Sequence, residues 1–186
     1  MKKLIWVGVI LALIGVGLTY EPEQPTETNT IEATSSTVEQ TKGDIETDLK
    51  TTYNAEKVET MGQQLVVTMP FADASSESKM VFKSFHNMGN SLNYIMGNHA
   101  DIEAKKIYYM YRAKLTDASG NTSDENLMGV IFNTDDLKRV YQGEDLPFQA
   151  YLPYADMDYK QPLGKKAVQT WCSEQNDKAN YRNVCL

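Results

Sequence analysis

The hydrophobic positions of the chain form one long apolar block, followed by shorter segments of regular spacing. The block covers residues 4–20 and directly follows Lys2 and Lys3. Its length falls between the core of a secretory signal, about 7–15 residues, and a membrane-spanning helix of about 20. Either way, such a run cannot remain in water as an N-terminal arm. Residues 1–20 are therefore predicted to be a signal peptide or membrane anchor, with the rest of the chain carried across a membrane.

The next segment, residues 21–50, has the opposite character. It carries eight acidic residues and two lysines and is rich in Thr, Glu, Ser and Pro. Such a composition cannot bury enough apolar surface to offset the conformational entropy that folding removes. We predict a disordered acidic linker over residues 21–50 and a globular domain over residues 51–186.

The first half of this domain reads as a hairpin followed by a long helix. A turn at Gly62 separates two short strands, and Leu65, Val67 and Met69 occupy alternate positions of the second one. From residue 73 to residue 98 the apolar positions recur at helical spacing instead. They form a single stripe of Val81, Phe85, Met88, Leu92, Ile95 and Met96.

The second half repeats the order strand, strand, helix. Residues 105–116 alternate strictly, and residues 127–132 provide the next strand. A short helix is predicted from Thr134, an irregular aromatic segment over 146–162, and a C-terminal helix from Gly164. The β-β-α-β-β-α order predicts an α+β fold, with a small antiparallel sheet and helices on one face.

Cys172 and Cys185 are the two cysteines of the chain. In an exported protein, an even number of cysteines favours a disulfide. A continuous helix would place the two Cα atoms roughly 20 Å apart, whereas bridged Cα atoms lie within about 7 Å. A disulfide between them therefore predicts that the chain turns back after Cys172.

Charge and motifs exclude several functions. The formal net charge is -7, which is unsuited to binding the phosphates of nucleic acids. His86 and His99 stand more than three helical turns apart, so neither a shared metal site nor a histidine-assisted nucleophile is indicated. No motif for a phosphate-binding loop or a zinc protease occurs. We expect no cofactor and no metal.

Acidic residues leave an enzymatic alternative open. Asp156 and Asp158 lie two residues apart and could serve a hydrolase that uses two carboxylates. They could also help to hold calcium. A looser group of oxygen donors, in the predicted turn before residue 127, could do the same: Asp117, Asn121, Asp124 and Glu125. Neither set matches an EF-hand, and turn formation explains both.

Two aromatic surfaces are the candidates for binding. One is the strand face that carries Tyr108 and Arg112, together with Lys106, Met110 and Lys114. The other is the aromatic segment, with Tyr151, Tyr154 and Tyr159. Tyr, Met and Arg are enriched at protein interfaces, although the strand face could equally lie beneath a helix and the segment could cover the core.

Together these features predict an envelope protein, anchored to a membrane through residues 4–20 or exported after cleavage. Its domain is expected to be a non-enzymatic module that binds a protein partner or assists assembly, with no role for nucleic acid. The alternative is a small secreted hydrolase that acts on a cell-envelope polymer through its acidic residues.

Overall fold

The computed structural model describes residues 44–185. The predicted signal or anchor at 1–20 and most of the predicted linker lie outside these residues. The end of the linker is helical, however, because helix α1 covers Ile45–Tyr53. Asp44 caps this helix by accepting a hydrogen bond from the Glu46 backbone N–H, and Leu49 is completely buried. None of the described helices is long and apolar enough to cross a membrane.

Five strands and four further helices follow α1. The strands are β1 (Lys57–Met61), β2 (Gln64–Pro70), β3 (Lys106–Thr116), β4 (Thr122–Asn133) and β5 (Ala155–Tyr159). The helices are α2 (Glu77–Asn98), α3 (Thr134–Val140), α4 (Pro162–Ser173) and α5 (Arg182–Cys185). Short 3₁₀ turns at Phe148–Ala150, Leu152–Tyr154 and Lys178–Tyr181 complete the described chain.

The strands form one sheet in the order β1-β2-β3-β4-β5. Its α+β character is confirmed, but the prediction of a purely antiparallel sheet was wrong, because β2 and β3 are parallel. The other neighbouring pairs are antiparallel. The 22-residue helix α2 spans about 1.5 Å per residue. It can therefore carry the chain back along the sheet, so that β3 starts at the same end as β2.

Strand β5 was missed by the sequence analysis, which predicted an irregular segment there. It pairs with β4 from Met128↔Tyr159 to Phe132↔Ala155 and forms one edge of the sheet. Several of the prolines and aromatic residues that suggested irregular structure lie in or beside the 3₁₀ turns before it. The strand sequence ADMDY alternates apolar and acidic residues, but aspartate is depleted in strands, which hid this pattern.

One face of the sheet is packed against helices and forms the core. The central row of this face joins Val58, Val67, Tyr109 and Val130 across four strands, and all four are buried. Two tyrosine hydroxyls attach β3 to α2, because Tyr109 lies 2.7 Å from the Ser91 hydroxyl and Tyr111 donates to the Ser84 carbonyl. Burial raises the pKa of both tyrosines.

Helix α2 begins four residues later than the predicted residue 73 and packs through its predicted apolar stripe. Ser76 is its N-cap and accepts a hydrogen bond from the Lys79 backbone N–H. The stripe from Val81 to Met96 is buried. Gly89 admits the 3₁₀ turn at Phe148, since a Cβ at Gly89 would lie 2.6 Å from the Phe148 Cβ and 2.8 Å from its Cα.

The disulfide joins Cys172 of α4 to Cys185 of α5, with the Cα atoms 5.5 Å apart. The chain turns back between them through a 3₁₀ turn, as the spacing requires. Val184 is buried, and its carbonyl accepts a hydrogen bond from the Tyr159 hydroxyl. The disulfide holds α5 next to α4, and the Tyr159 hydrogen bond holds α5 against the edge strand β5.

Replacing Cys172 and Cys185 together with serine should lower the free energy of unfolding by about 3 kcal/mol, because the bond restricts the unfolded chain. Urea unfolding followed by circular dichroism measures this change. Reduced wild-type protein should match the double variant. An identical curve for oxidised and reduced wild-type protein would contradict the prediction.

Gly89→Ala should destabilise the protein by about 1–3 kcal/mol, because the new methyl group meets backbone and Cβ atoms of Phe148 that cannot easily move. Gly97→Ala in the same helix is the matched control. Its methyl group meets the hydroxyl end of the Tyr141 side chain, which can rotate away. Thermal unfolding of both variants tests this, and equal midpoints would count against the packing explanation.

Candidate functional site

The second face of the sheet, called here the outer face, is not covered by any described helix. Its positions alternate with those of the core, and the row of Val66, Tyr108 and Ile131 crosses β2, β3 and β4. All three are partly exposed. The predicted binding residues Tyr108 and Arg112 therefore lie on an accessible surface and not beneath any helix of residues 44–185.

Tyr108 lies across β4 and reaches β5. A Cβ at Gly129 would lie 2.0 Å from the Tyr108 Cε2 atom, so only glycine leaves room for the ring. The Tyr108 hydroxyl donates a hydrogen bond to the Asp158 carboxylate, at 2.7 Å. Burial and this carboxylate raise the pKa of Tyr108. The ring thus braces three strands and forms a fixed part of the outer face.

Asp158 is an ionised structural carboxylate. The Lys160 ammonium lies 2.7 Å from it, and this contact, with the Tyr108 hydrogen bond, lowers the pKa of Asp158. A catalytic acid of a glycosidase needs the opposite, a raised pKa. Asp156 points to the same face two residues earlier and is exposed. The pKa of Asp158 is thus shifted in the direction opposite to the one that a catalytic acid requires.

A β-bulge shapes the outer face near Arg112. Tyr111 pairs with Met128, but Arg112 pairs with Asn126, so Leu127 is an extra residue on β4. The Leu127 carbonyl accepts hydrogen bonds from the backbone N–H groups of Lys160 and Gln161, both at 3.0 Å. Bulges bend a strand and redirect its side chains. Here the residues before α4, Lys160 and Gln161, line the same concavity as Arg112 of β3.

An open concavity of about 640 Å³ lies over this part of the outer face. Its uncharged lining residues are Val66, Thr68, Met110, Asn126 and Gln161. Its charged lining residues are Glu56, Lys57, Glu59, Arg112, Asp124, Glu125 and Lys160. The concavity is therefore polar and charged, with both signs of charge present.

Arg112 is the most loosely held of the three cations in the concavity. Its guanidinium is 3.9 Å from the nearest Glu56 carboxylate oxygen and 3.5 Å from the Asp124 carbonyl oxygen. Lys57 and Lys160, by contrast, contact carboxylates at 2.8 Å and 2.7 Å. Arg112 thus has hydrogen-bonding capacity that the described part of the chain uses only weakly.

The second predicted aromatic surface does not form one surface. Tyr151 is completely buried, and its hydroxyl donates to the Asn93 side-chain oxygen. Tyr159 is half-buried against α5. Tyr154, with 42% of its surface exposed, is the exposed member of this group. Tyr151 belongs to the core and is unavailable to a partner in this conformation.

The two histidines and Asp117, one of the calcium candidates, make contacts within the fold. Within residues 44–185, no group of three or more His, Cys, Asp or Glu side chains could hold a metal ion. His86 stacks on Phe82 at the surface of α2. His99 is buried at the end of this helix, with its Nε2 atom 3.1 Å from the Tyr94 hydroxyl. Asp117 accepts hydrogen bonds from Ser119 and Asn121 and so closes the β3–β4 turn.

Sequence reasoning missed the residues that the bulge and the first strand bring to Arg112. Glu56 and Glu59 come from the chain around β1, and Lys160 and Gln161 from the junction of β5 and α4. The alternation of Lys57, Val58 and Glu59 could have placed the two charged residues on the outer face. No local pattern reveals the bulge, because it depends on pairing between strands.

Comparison of the chain with protein-family models, with curated proteins and with solved structures found no match.

Tyr108→Phe should raise the pKa of the Asp158 carboxyl, because the variant keeps the ring over Gly129 but removes the O–H donor. Because folding lowers the pKa of Asp158, this carboxylate stabilises the folded protein at pH values above the usual pKa of aspartate. This stabilisation is lost as the pH falls through the lowered pKa. An NMR titration of the Asp158 carboxyl measures the change. Tyr154→Phe, at an exposed tyrosine, is the control. An unchanged Asp158 titration in Tyr108→Phe would contradict a role for the Tyr108 hydrogen bond in lowering this pKa.

Proposed function

We propose that the domain is a non-enzymatic protein-binding or assembly module of the cell envelope, and that the outer face around Arg112 is its contact surface. The observation that carries this proposal is the uncovered sheet face, on which Tyr108, Met110 and Arg112 lie in sequence along β3. A sheet face with aromatic, methionine and arginine side chains has the composition of a protein interface.

The fixed position of Tyr108 supports this proposal. A surface that is already ordered loses little conformational entropy when a partner binds. The ring is immobilised over Gly129, and its hydroxyl is bonded to Asp158. Met110 is partly exposed beside it and adds an adaptable apolar contact. The outer face thus combines a rigid aromatic group with a flexible apolar one.

The environment of Asp158 weighs against the alternative of a secreted hydrolase. That carboxylate is neutralised by Lys160 and accepts the Tyr108 hydroxyl. It is therefore committed to holding β5 in place. The envelope location rests on the apolar run at residues 4–20, and the membrane remains a proposed partner of that segment alone.

Site-specific photo-crosslinking in the native cells tests the contact surface. A photoreactive side chain at Thr68, in the concavity of the outer face, should give a discrete adduct with one protein in the envelope fraction. The control position is Asn90, an exposed residue of α2, because this helix packs on the opposite face of the sheet. Equal adducts at both positions, or none at Thr68, would overturn the proposal.

A further inference from the structure

We propose that Arg112 is the receptor for an aspartate or glutamate side chain of the partner, in a segment with basic residues on both sides of that acid. This inference rests on the proposed function, since it assigns the chemistry of the partner at the same surface. Arginine holds carboxylates through two parallel N–H···O bonds, and such bidentate pairs are among the stronger hydrogen bonds in proteins.

The contacts of Arg112 leave room for such a pair. Its ion pair within residues 44–185, at 3.9 Å to Glu56, is too long for a hydrogen bond of ordinary geometry. Its hydrogen bond to the Asp124 carbonyl is 3.5 Å long, and 37% of its side chain is exposed. A carboxylate in the concavity could therefore approach the guanidinium without breaking a close ion pair.

The charges around Arg112 define what must accompany that carboxylate. Glu56 and Glu59 lie on the β1 side of the concavity, and Asp124 and Glu125 lie on β4. Because β3 runs between them, Arg112 is flanked by acidic residues in both directions across the sheet. Glu59 is paired with Lys57 at 2.8 Å. Glu125 lies opposite Ala113, so its side chain alternates away from the face that carries Arg112. An isolated anion would therefore be repelled chiefly by Glu56 and Asp124. An acidic residue with basic neighbours on both sides would pair with Arg112, while those neighbours pair with the acidic residues beside it.

The shape of the concavity favours a polypeptide over a small carboxylic acid. Small ligands are usually held in enclosed, mostly apolar clefts that bury most of their surface. This concavity is open and lined largely by charged and polar residues. Its lining residues also extend over β1, β2, β3 and β4, a width that a segment of protein can cover.

The test uses the full chain with the photoreactive group at Thr68 and varies Arg112. Arg112→Gln should reduce the adduct roughly ten-fold, because the variant lacks the arginine that the partner would cover at the interface. Arg112→Lys should reduce the adduct by a smaller factor, about three-fold, because the ammonium keeps the positive charge but cannot form two parallel hydrogen bonds to a carboxylate. Arg139→Gln, at an exposed arginine of α3 that pairs with Asp136, should leave the adduct unchanged. Each variant must keep the wild-type unfolding midpoint.

The identity of the partner residue is then tested by charge exchange. Mass spectrometry of the adduct locates the contacting segment, in which we expect an Asp or Glu with Lys or Arg on both sides. Arg112→Glu should abolish the adduct, and replacing that partner acid with arginine should restore it.

The outcomes separate the two proposals. An adduct at Thr68 that is insensitive to Arg112→Gln would overturn the carboxylate inference and leave the contact surface intact. A contact through the partner's C-terminal carboxylate, or a segment without flanking basic residues, would also overturn it. The absence of any adduct at Thr68 would remove both the surface and the inference.

Discussion

The packing of α2 against one face of the sheet is the interaction on which the rest of this structure depends. The completely buried side chains of Phe85, Met88 and Leu92 meet a sheet face whose central strand supplies Tyr109 and Tyr111. Burying each large apolar side chain contributes about 1.5–3 kcal/mol. The two tyrosine hydroxyls would oppose this gain if they lacked partners. Ser91 and the Ser84 carbonyl supply those partners, so the aromatic rings can be buried completely.

The same packing determines which side of the domain stays open. Successive residues of a strand point to opposite faces, so each core position on β3 has a neighbour on the outer face. Tyr109 and Tyr111 are buried, while Tyr108, Met110 and Arg112 remain partly exposed. With α2 on the core side and none of the described helices on the other, the outer face becomes the larger accessible surface of the sheet. The proposed function follows from this asymmetry.

Two local features of β4, Gly129 and the bulge at Leu127, determine the shape of the outer face. Gly129 lacks the side chain that would displace the Tyr108 ring, so this ring can link β3 to Asp158 on β5. The extra residue Leu127 bends β4 and uses its carbonyl to hold the backbone of Lys160 and Gln161. Both features are short-range in space but join parts of the chain that are distant in sequence.

The sequence by itself determined the hairpin at Gly62, the apolar stripe of α2, the alternation of β3 and the Cys172–Cys185 bond. These features depend on neighbouring residues or on a fixed chain length between two of them, and local spacing carries that information. The tertiary structure decided that β2 and β3 are parallel, that residues 155–159 form an edge strand, and that Tyr151 is buried. It also decided that Arg112 lies between Glu56 and Asp124. The physical reason is that strand pairing, and the surroundings of each side chain, depend on how α2 returns the chain to the sheet. No short stretch of sequence specifies that path.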